Sequence, residues 1–538
     1  MTLLLTILTV SIQLCRRHFA QLRNSIRICT DDTNSRNEQP LLVAFFHPNC
    51  SAGGGGERVL WKAIGALGEM KEEGEKKMNL GERRDTCCRL SVVVYTTDEE
   101  RENYKVDTSL VVLECKGIDP KDVIPSVIVR FGESYPRQVF HLHFFFVGCV
   151  LFIRMKLLIA MTLAIPPSFF RKEKSKRWTM IAESWGTIQL AWYALQKRTP
   201  HVFFDTTGCA FTFLVAKVLA GCKVGAYVHY PTISTDMLSL VWERRPSYNN
   251  NTSISTNPII TYAKLLYYTF FAIAYGLTGS LADLIIVNSS WTKGHIQYLW
   301  RLAGDIHVVF PPVDTKSLEQ LSLTHPPRDN LILSIGQFRP EKDHTLQLKA
   351  FALLLEMHNG EMRTRGDVKL LLIGSCRDDD DRERVDRLQA LAREWNISDS
   401  VKFVLNQPHS VLREYLSRAS VGIHTMWNEH FGIGLVEMMA AGLVTVAHDS
   451  GGPKADIIQS PWNVPRGGDG VSGDQSTGCL ATTAEEYANA IYEIIKRGSS
   501  SREILKMREN GRKSAERFSD EVFVKSLKEI LLASSLLT

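Results

Sequence analysis

Short apolar runs alternate with helix-like segments along most of the chain. The runs of strand length in the first half are LLVAFF (41–46), LSVVVYTT (90–97), HVFFDT (201–206), KVGAYVHY (223–230) and DLIIVNSS (283–290). Those in the second half are NLILSIGQF (330–338), VKLLLIGS (368–375), VKFV (401–404), SVGIHT (420–425) and LVTVAH (443–448). Each run is followed by a segment with helical periodicity. This alternation predicts two α/β domains built on parallel sheets.

Two double prolines mark the boundary between the halves, in the segment 308–330. Prolines at both ends of such a stretch interrupt regular structure. We therefore predict a first domain over residues 38–315 and a second domain over residues 326–500. The remaining residues, 501–538, have the pattern of amphipathic helices.

The first fifteen residues are apolar and uncharged, and arginines follow at positions 16, 17 and 23. A secretory signal carries its positive charge before the apolar core, whereas here the charge follows it. The positive-inside rule then places the chain after Arg16 in the cytosol. Because the apolar stretch is shorter than the roughly 20 residues of a full span, we predict a short, tilted or interfacial membrane anchor over residues 1–24.

Composition and charge exclude several classes of protein. Hydrophobic residues make up 44% of the 538 residues and charged residues 22%, which is typical of folded domains with large cores. The net charge of +5 is too small for so long a chain to indicate nucleic acid binding. The 11 cysteines include no CxxC spacing, so a disulfide framework or a zinc site is not predicted.

A second apolar block, residues 144–170, is interrupted by Arg154 and Lys156, which favours buried core or a membrane-lying element over a spanning helix.

A run of four glycines separates the first predicted strand from a helix that opens with Glu57 and Arg58; the glycines are Gly53, Gly54, Gly55 and Gly56. Glycines between a strand and a helix let the backbone approach a ligand, and the helix N-terminus presents free N–H groups to an anion. The spacing matches neither GxGxxG nor GxxxxGKS/T, so it does not predict a dinucleotide fold or a P-loop. From the residues alone the loop is a tight turn or a phosphate site, and both interpretations stay open.

The stretch SIGQFRPEKDH (334–344) follows the first predicted strand of the second half. Its loop carries Gly336, Arg339 and Lys342. A forked guanidinium and an ammonium at one strand end can neutralise a diphosphate leaving group. The alternative, two loop charges that face solvent, stays open on the residues alone.

The stretch WNEHFGIGLVEMMAAG (427–442) carries two glutamates, Glu429 and Glu437, on either side of a predicted helix start. The free N–H groups near that start, at Phe431, Gly432 and Ile433, favour a phosphate or a sugar hydroxyl. The two carboxylates could accept hydrogen bonds from a ribose diol and a hexose. Acid and base catalysis of glycoside cleavage is the competing interpretation, although a strand–glycine–helix turn is more typical of binding.

In YVHYPTISTDML (227–238), His229 ends a predicted strand of the first half. Ligand crevices of open α/β sheets lie at such strand ends. A single histidine is more often structural than functional, so His229 becomes a candidate only in combination with the other stretches.

The motif EHFGIGLVE (429–437) resembles the E-x7-E motif of glycosyltransferase family 4, whose members are retaining enzymes of the GT-B fold. More narrowly, HPNCSAGGGGERVLW, VHYPTISTDML, VNSSWT, FPPVDT, IGQFRPEKDH and NEHFGIGLVEMMAAGLVTVAHDSGGPKADI resemble the eukaryotic family of GDP-mannose-dependent, dolichol-linked oligosaccharide α-1,2-mannosyltransferases. The resemblance runs from about residue 41 to the C-terminus. One departure is Gln337, because the wider family often has an arginine directly after the glycine of the donor loop.

The resemblance implies a GT-B fold, in which two Rossmann-like domains face each other across a cleft. It assigns the acceptor to the domain 38–315 and the GDP-mannose donor to the domain 326–500. The implied donor site consists of Gly336, Arg339, Lys342, Phe431, Gly432, Ile433 and Glu437, with Glu437 on the ribose. The implied catalytic residues are His229, Arg339, Lys342 and Glu429. The loop assigned to the donor phosphates or the acceptor sugar consists of Gly53, Gly54, Gly55, Gly56, Glu57 and Arg58.

The reaction implied by the resemblance adds the fourth and fifth mannoses to a trimannosyl-chitobiosyl-diphosphodolichol intermediate, with no metal or other cofactor. The implied partners are GDP-mannose, the dolichol-diphosphate-linked oligosaccharide, a membrane and other mannosyltransferases of the pathway, but not nucleic acid. The implied location is the endoplasmic reticulum membrane, with the catalytic domains on its cytosolic face. The alternatives are a family 4 enzyme that uses a UDP-sugar and a catalytically silent relative that binds glycan lipid.

Overall fold

The protein is built from alternating strands and helices, and the computed structural model describes residues 2–25, 41–48, 54–79, 90–96, 127–130, 179–244, 257–324, 328–462 and 475–537. The elements up to residue 308 are α1 (Thr2–Ser25), β1 (Leu41–Phe46), α2 (Gly55–Asn79), β2 (Leu90–Thr96), β3 (Val127–Arg130), α3 (Thr179–Lys197), β4 (Val202–Asp205), α4 (Phe211–Phe213, continued by a π-helical turn, Leu214–Leu219), β5 (Lys223–Val228), α5 (Thr235–Trp242), α6 (Pro258–Gly279), β6 (Leu284–Val287), α7 (Ser290–Leu299) and β7 (Ile306–Val308).

The second part of the chain repeats the alternation. Its elements are α8 (Thr315–Glu319), β8 (Asp329–Ile335), α9 (His344–Arg365), β9 (Lys369–Gly374), α10 (Asp379–Glu394), β10 (Val401–Leu405), α11 (His409–Arg418), β11 (Ala419–His424), α12 (Ile433–Ala440), β12 (Val444–His448), β13 (Cys479–Ala481), α13 (Ala484–Arg497), α14 (Arg502–Ala515) and α15 (Asp520–Ala533).

The described strands form two sheets. The first has the order β3-β2-β1-β4-β5-β6-β7 and the second the order β10-β9-β8-β11-β12-β13. The described pairings are parallel, with Val43 opposite Val92 and Val202 in the first sheet and Ile332 opposite Leu370 in the second. Counted from its own first strand, each sheet contains the order 3-2-1-4-5-6 of the Rossmann fold. The prediction of two α/β domains with parallel sheets is confirmed.

All ten predicted strands are present, with ends shifted by a few residues. The sequence pattern does not predict β3, β7 and β13. Each of these strands lies at an edge of its sheet and has only three or four residues.

Helices cover both faces of each sheet, as parallel strands require. One face of the first sheet packs against α1, α3, α4, α6 and α7, in a core that includes Phe19 and Trp300. The other face packs against α2 and α15, in a core that includes Trp61 and Phe523. In the second sheet, α9, α10 and α13 cover one face, and α8, α11 and α12 cover the other.

The C-terminal helix α15 returns to the first domain after α14 has packed on the second. Leu527 and Leu531 on α15 are buried against the first sheet. Nη2 of Arg58 lies 2.8 Å from each carboxylate oxygen of Asp520, and Nζ of Lys62 lies 3.0 Å from one of them. The sequence pattern predicts helices over residues 501–538 but not their division between the two domains.

Helix α1 covers residues 2–24 of the predicted membrane anchor, residues 1–24. Its second half packs on the first domain, where Phe19 is fully buried and meets Trp192 edge to face. Among the described residues, no helix combines the length and the apolar character needed to cross a membrane. The anchor stays a prediction. The apolar block 144–170 lies outside the described residues.

Candidate active site

A cleft of about 1260 Å³ separates the two domains at the carboxyl ends of their strands, where open parallel sheets bind ligands. Its lining in the first domain includes His47, Gly54, Gly55, Gly56, Glu57, Arg58, Thr206, His229 and Asn288. Its lining in the second domain includes Gly336, Gln337, Arg339, Lys342, His424, Glu429, His430, Phe431, Gly432, Ile433 and Glu437. All predicted site residues that lie in the described part of the chain therefore line one cleft. Gly53 lies outside the described residues.

The glycine loop lies at the start of α2 and faces the second domain. The N–H of Gly54 donates to Oε2 of Glu57 at 2.7 Å. A Cβ atom on Gly55 would lie 2.3 Å from Cδ1 of Ile433, on the opposite wall. The absence of a side chain at Gly55 therefore lets the two domains approach each other. From the sequence we expect the glycines to leave room for a ligand in a cleft that closes tightly, and the structure adds that Gly55 faces Ile433 across it.

His47 follows β1 and links Glu57 to Thr206. Its Nδ1 atom lies 2.7 Å from Oγ1 of Thr206, and its Nε2 atom lies 3.8 Å from Oε1 of Glu57. Burial by itself raises the pKa of Glu57, but the nearby imidazole of His47 and hydrogen bonds from the backbone outweigh burial and lower that pKa overall. Glu57 is therefore an ionised carboxylate at neutral pH. Its neighbour Arg58 instead directs its guanidinium to Asp520 on α15.

His229 follows β5 and lines the cleft with one ring nitrogen unpaired. Its Nε2 atom is buried and has no hydrogen-bond partner among the described residues. Burial, reinforced by the neighbouring His47, lowers the pKa of His229 to about 3. His229 is therefore a neutral imidazole at physiological pH, with a nitrogen available to a bound ligand.

Lys342 and Glu429 form an ion pair in the second wall. Nζ of Lys342 donates to Oε2 of Glu429, and Nε2 of His424 lies 3.0 Å from the same oxygen. Burial alone would raise the pKa of Glu429, but the charge of Lys342 and the adjacent His424 overcome burial and lower that pKa to about 2. Glu429 is therefore ionised and already engaged by two side chains of its own domain.

Gly336 and Arg339 belong to the loop after β8. A Cβ atom on Gly374 would lie 1.7 Å from the carbonyl oxygen of Gly336, so this loop packs directly on the end of β9. The side chain of Arg339 is 37% exposed, with Nη1 3.7 Å from Oε1 of Glu341. Its Nε atom has no hydrogen-bond partner among the described residues. Arg339 is therefore more available to a ligand than Lys342, which is committed to its ion pair.

Helix α12 presents its N-terminus to the cleft. Gly432 precedes the helix with a φ of +111°, a conformation that glycine adopts far more readily than other residues. The side chain of Phe431 is buried between Phe310 and Phe518, so only its backbone can serve a ligand. Glu437 lies in the second turn and lines the cleft. A helix N-terminus beside a carboxylate provides donors for a phosphate and an acceptor for hydroxyl groups.

Several residues of the cleft are not predicted by the sequence motifs: His47, Thr206, Asn288, His424 and His430. Most of them follow or end a strand: His47 follows β1, Thr206 follows β4, Asn288 follows β6 and His424 ends β11. The polar residue at the carboxyl end of each predicted parallel strand was the available signal.

Two Rossmann-like domains that face a common cleft are the arrangement of the GT-B fold. Sucrose-phosphate synthase from Thermosynechococcus elongatus has this fold with a TM-score of 0.57 and 16% identity, covering 91% of this chain and 98% of that chain. Anabaena HepE in complex with UDP and glucose gives a TM-score of 0.52 and 13% identity, with coverages of 91% and 99%. Identities this low show the fold alone.

The sequence defines the family within this class. The profile described as ALG11 mannosyltransferase N-terminus matches residues 40–112 and 157–300, and the profile described as glycosyl transferases group 1 matches residues 316–514.

Three relatives bear the name GDP-Man:Man(3)GlcNAc(2)-PP-Dol alpha-1,2-mannosyltransferase. The mouse protein (Mus musculus) is 38% identical over 519 residues, 96% of this chain and 90% of its own. The proteins of Dictyostelium discoideum and Caenorhabditis elegans are 39% and 32% identical, over 90% and 89% of this chain and 83% and 88% of their own. The chain belongs to the ALG11 mannosyltransferase family.

Glu429 should contribute a pH-dependent part of the stability. Its pKa is about 2 in the folded protein against an ordinary value of 4.5, so this contribution is present above about pH 4.5 and is lost as the pH falls toward 2. The advantage of the wild type over Glu429→Gln in free energy of unfolding should therefore shrink across this range in urea titrations. Glu356→Gln, at an exposed position on α9, is the control. A wild-type advantage that stays constant with pH would contradict the assignment.

Proposed function

We propose that this chain is a retaining α-1,2-mannosyltransferase that moves mannose from GDP-mannose onto the trimannosyl-chitobiosyl-diphosphodolichol intermediate, adding the fourth and fifth mannoses. The observation that carries the proposal is the similarity, over most of both chains, to relatives whose names state this donor, acceptor and linkage. The cleft supports it, because Arg339, Lys342, Glu429, Glu437 and the N-terminus of α12 line the same space.

The second domain would bind the donor. The N–H groups at the start of α12, and the positive end of its dipole, favour the phosphates of GDP. Arg339 and Lys342 would neutralise the charge that develops on the leaving β-phosphate. Glu437 would accept hydrogen bonds from the ribose, and Gly336 would let the backbone approach the donor. Among the described residues, no group of His, Cys, Asp and Glu side chains is suited to a metal ion.

Transfer would take place on one face of the sugar. The bond between mannose C1 and the β-phosphate oxygen breaks as the acceptor hydroxyl oxygen bonds to C1, and the hydroxyl proton passes to the departing phosphate. Glu429 is already bound by Lys342 and His424, which makes it a poor free nucleophile. Its place is therefore beside the mannose, where with the backbone of Phe431, Gly432 and Ile433 it orients the sugar. Neutral His229 would hold a sugar hydroxyl from the opposite wall.

The first domain would bind the acceptor glycan. Gly55 allows α2 to approach Ile433, so that the cleft can close over the reacting groups. Closure of this kind excludes water, which would otherwise hydrolyse the donor. Glu57, with His47 behind it, adds a charged acceptor of hydrogen bonds to the same wall.

The proposal is tested by incubating the purified protein with GDP-mannose and the trimannosyl lipid acceptor. We expect a product that is heavier by two mannoses, joined in α-1,2 linkage, as measured by mass spectrometry and linkage analysis. Parallel reactions with UDP-sugars should give no product, and turnover with a UDP-sugar would contradict the donor assignment. Binding of the glycan lipid without any transfer would identify a catalytically silent relative.

Lys342→Ala should lower turnover by about 100-fold, because it removes a charge that would stabilise the leaving phosphate. It also leaves Glu429 buried without its main counter-charge, so the melting temperature should fall. In the double variant Lys342→Ala/Glu429→Gln the unpaired charge is gone, and stability should recover while turnover does not. Lys349→Ala, an exposed lysine on α9, is the control. Normal turnover in Lys342→Ala would exclude a catalytic role.

We further propose that the protein works at the endoplasmic reticulum membrane, with its catalytic domains on the cytosolic face. Helix α6 supports this location because it is apolar on both sides. One side is buried against the first sheet, through residues such as Phe271 and Tyr275. The opposite side carries six apolar or aromatic residues, each at least 54% exposed: Ile259, Tyr262, Leu266, Phe270, Ile273 and Leu277.

These six side chains form a stripe along α6, within an arc of about 80° at about 100° per residue. The helix contains no acidic residue, and its single charge is Lys264. Helix α1 packs in the same core as α6, and it too exposes apolar residues, Val10 and Leu14. An apolar face beside basic side chains is typical of helices that lie in a membrane surface.

The stripe should lose contact with water when the protein meets phospholipid vesicles. Hydroxyl-radical footprinting should then show less oxidation of Leu266 and Phe270. Val522 and Leu532 are exposed on α15, which covers the opposite face of the first sheet, and serve as internal controls. Equal oxidation with and without vesicles would contradict the docking face. Protection that needs no vesicles would instead indicate a second copy or another part of the chain.

A further inference from the structure

The loop that carries Glu429 lies between the two domains and is bonded to both. Asn428, directly before Glu429, donates from Nδ2 to Oδ2 of Asp236 at 2.7 Å. Asp236 belongs to the first turn of α5, in the first domain, and its other neighbour is His295, with Nε2 at 3.4 Å. The hydrogen bond from Asn428 therefore crosses the cleft.

The residue after Glu429 also meets the first domain. The ring of His430 stacks on Tyr230, with centroids 3.9 Å apart and planes 17° apart. Trp291 stacks near the same ring at 5.5 Å. The two neighbours of Glu429 thus face the first domain, while Glu429 itself faces Lys342 in the second.

The second domain holds the other side of this loop. The N–H of Asn428 donates to Oγ of Ser450 at 2.8 Å, and the N–H of Gly452 donates to the carbonyl of Glu429 at 2.7 Å. Asn428 has a φ of +51°, in the left-handed region that asparagine and aspartate tolerate better than most residues. Contacts with both domains therefore hold the loop in its conformation. The backbone at position 428 can accommodate either asparagine or aspartate.

We propose that Asp236 is a positioning residue for sugar transfer. By accepting the hydrogen bond of Asn428 from across the cleft, it fixes the loop of Glu429 in the closed arrangement of the two domains. When the domains separate, this bond is broken and the loop keeps only its contacts within the second domain. The effect of this contact on sugar transfer rests on the proposed function, whereas the hydrogen bond between Asn428 and Asp236 does not.

The consequence is that donor binding and transfer have different requirements. The proposed contacts with the nucleotide part of the donor lie in the second domain and do not need Asp236. Alignment of Glu429 beside the sugar needs both domains. Loss of the contact should therefore lower kcat and leave KM for the donor nearly unchanged, since it removes an interaction made only in the closed state.

The pair can be tested by exchanging its two members. Asn428→Asp replaces this hydrogen bond with two facing carboxylates, and we expect kcat to fall by about tenfold, a size within the range of coupling between residues in contact. Asp236→Asn keeps a neutral hydrogen bond and should have a smaller effect. The double variant Asp236→Asn/Asn428→Asp restores an amide opposite a carboxylate with the direction reversed, and its kcat should return to within about threefold of the wild type.

A matched control exists inside the second domain. Nδ2 of Asn330 donates to Oδ2 of Asp367 at 2.6 Å, which is the same chemical pair at an exposed place away from the cleft. Asn330→Asp should leave kcat unchanged. Melting temperatures of all variants show whether a loss of kcat reflects unfolding. If Asn428→Asp does not fold, Asp236→Ala removes the hydrogen bond without adding a charge and should lower kcat in a folded protein.

Domain separation provides a readout that needs no activity. Small-angle X-ray scattering should give a larger radius of gyration for Asn428→Asp than for the wild type, and the exchanged double variant should reverse the increase. Unchanged kcat and unchanged radius in Asn428→Asp would overturn the proposal, as would a low kcat that the exchange fails to rescue. A wild type that transfers no mannose would overturn the proposed function instead, and the scattering comparison would still decide the contact.

Discussion

The buried ion pair between Lys342 and Glu429 is the constraint on which the rest of the site depends. A carboxylate removed from water is strongly destabilising unless a counter-charge accompanies it, and here His424 adds a second partner. Lys342 follows β8, whereas His424 and Glu429 come from the end of β11 and its loop. These two strands are neighbours in the second sheet, at the point where the strand order reverses. This strand order brings the two loops together, so that the pair can form.

The first domain is constructed in the same way. His47 and Thr206 follow the neighbouring strands β1 and β4, and their side chains lie 2.7 Å apart. Both reversal points open onto one cleft, so each wall consists of short loops held by rigid strands. Groups fixed in this manner need little rearrangement when charge develops on a ligand. Gly55 faces Ile433 closely across the cleft, so a side chain at position 55 would require Ile433 or the opposite wall to shift.

Many strands, helices and site loops could be predicted from the sequence, because each leaves its pattern within one short segment of the chain. Buried apolar runs predict ten of the thirteen described strands, and the spacing of Glu429 and Glu437 predicts a loop followed by a helix. What could not be predicted depends on pairing between distant residues. The bond between His47 and Thr206 joins positions 159 residues apart. An amphipathic pattern indicates that α15 buries one face but not that it does so in the first domain.

Helix α12 shows how the protein keeps the N–H groups of the cleft in place. Its N-terminus faces the cleft, and its last carbonyl groups accept hydrogen bonds from arginines: Arg512 donates to Ala440 at 2.9 Å, and Arg328 donates to Ala441. Burial, with help from nearby arginines, lowers the pKa of Arg328 to about 9, so its charge is retained at neutral pH. Positive charge at this end complements the negative end of the helix dipole. The arginines therefore hold the helix from behind, and an anion at its N-terminus meets donors that are already fixed.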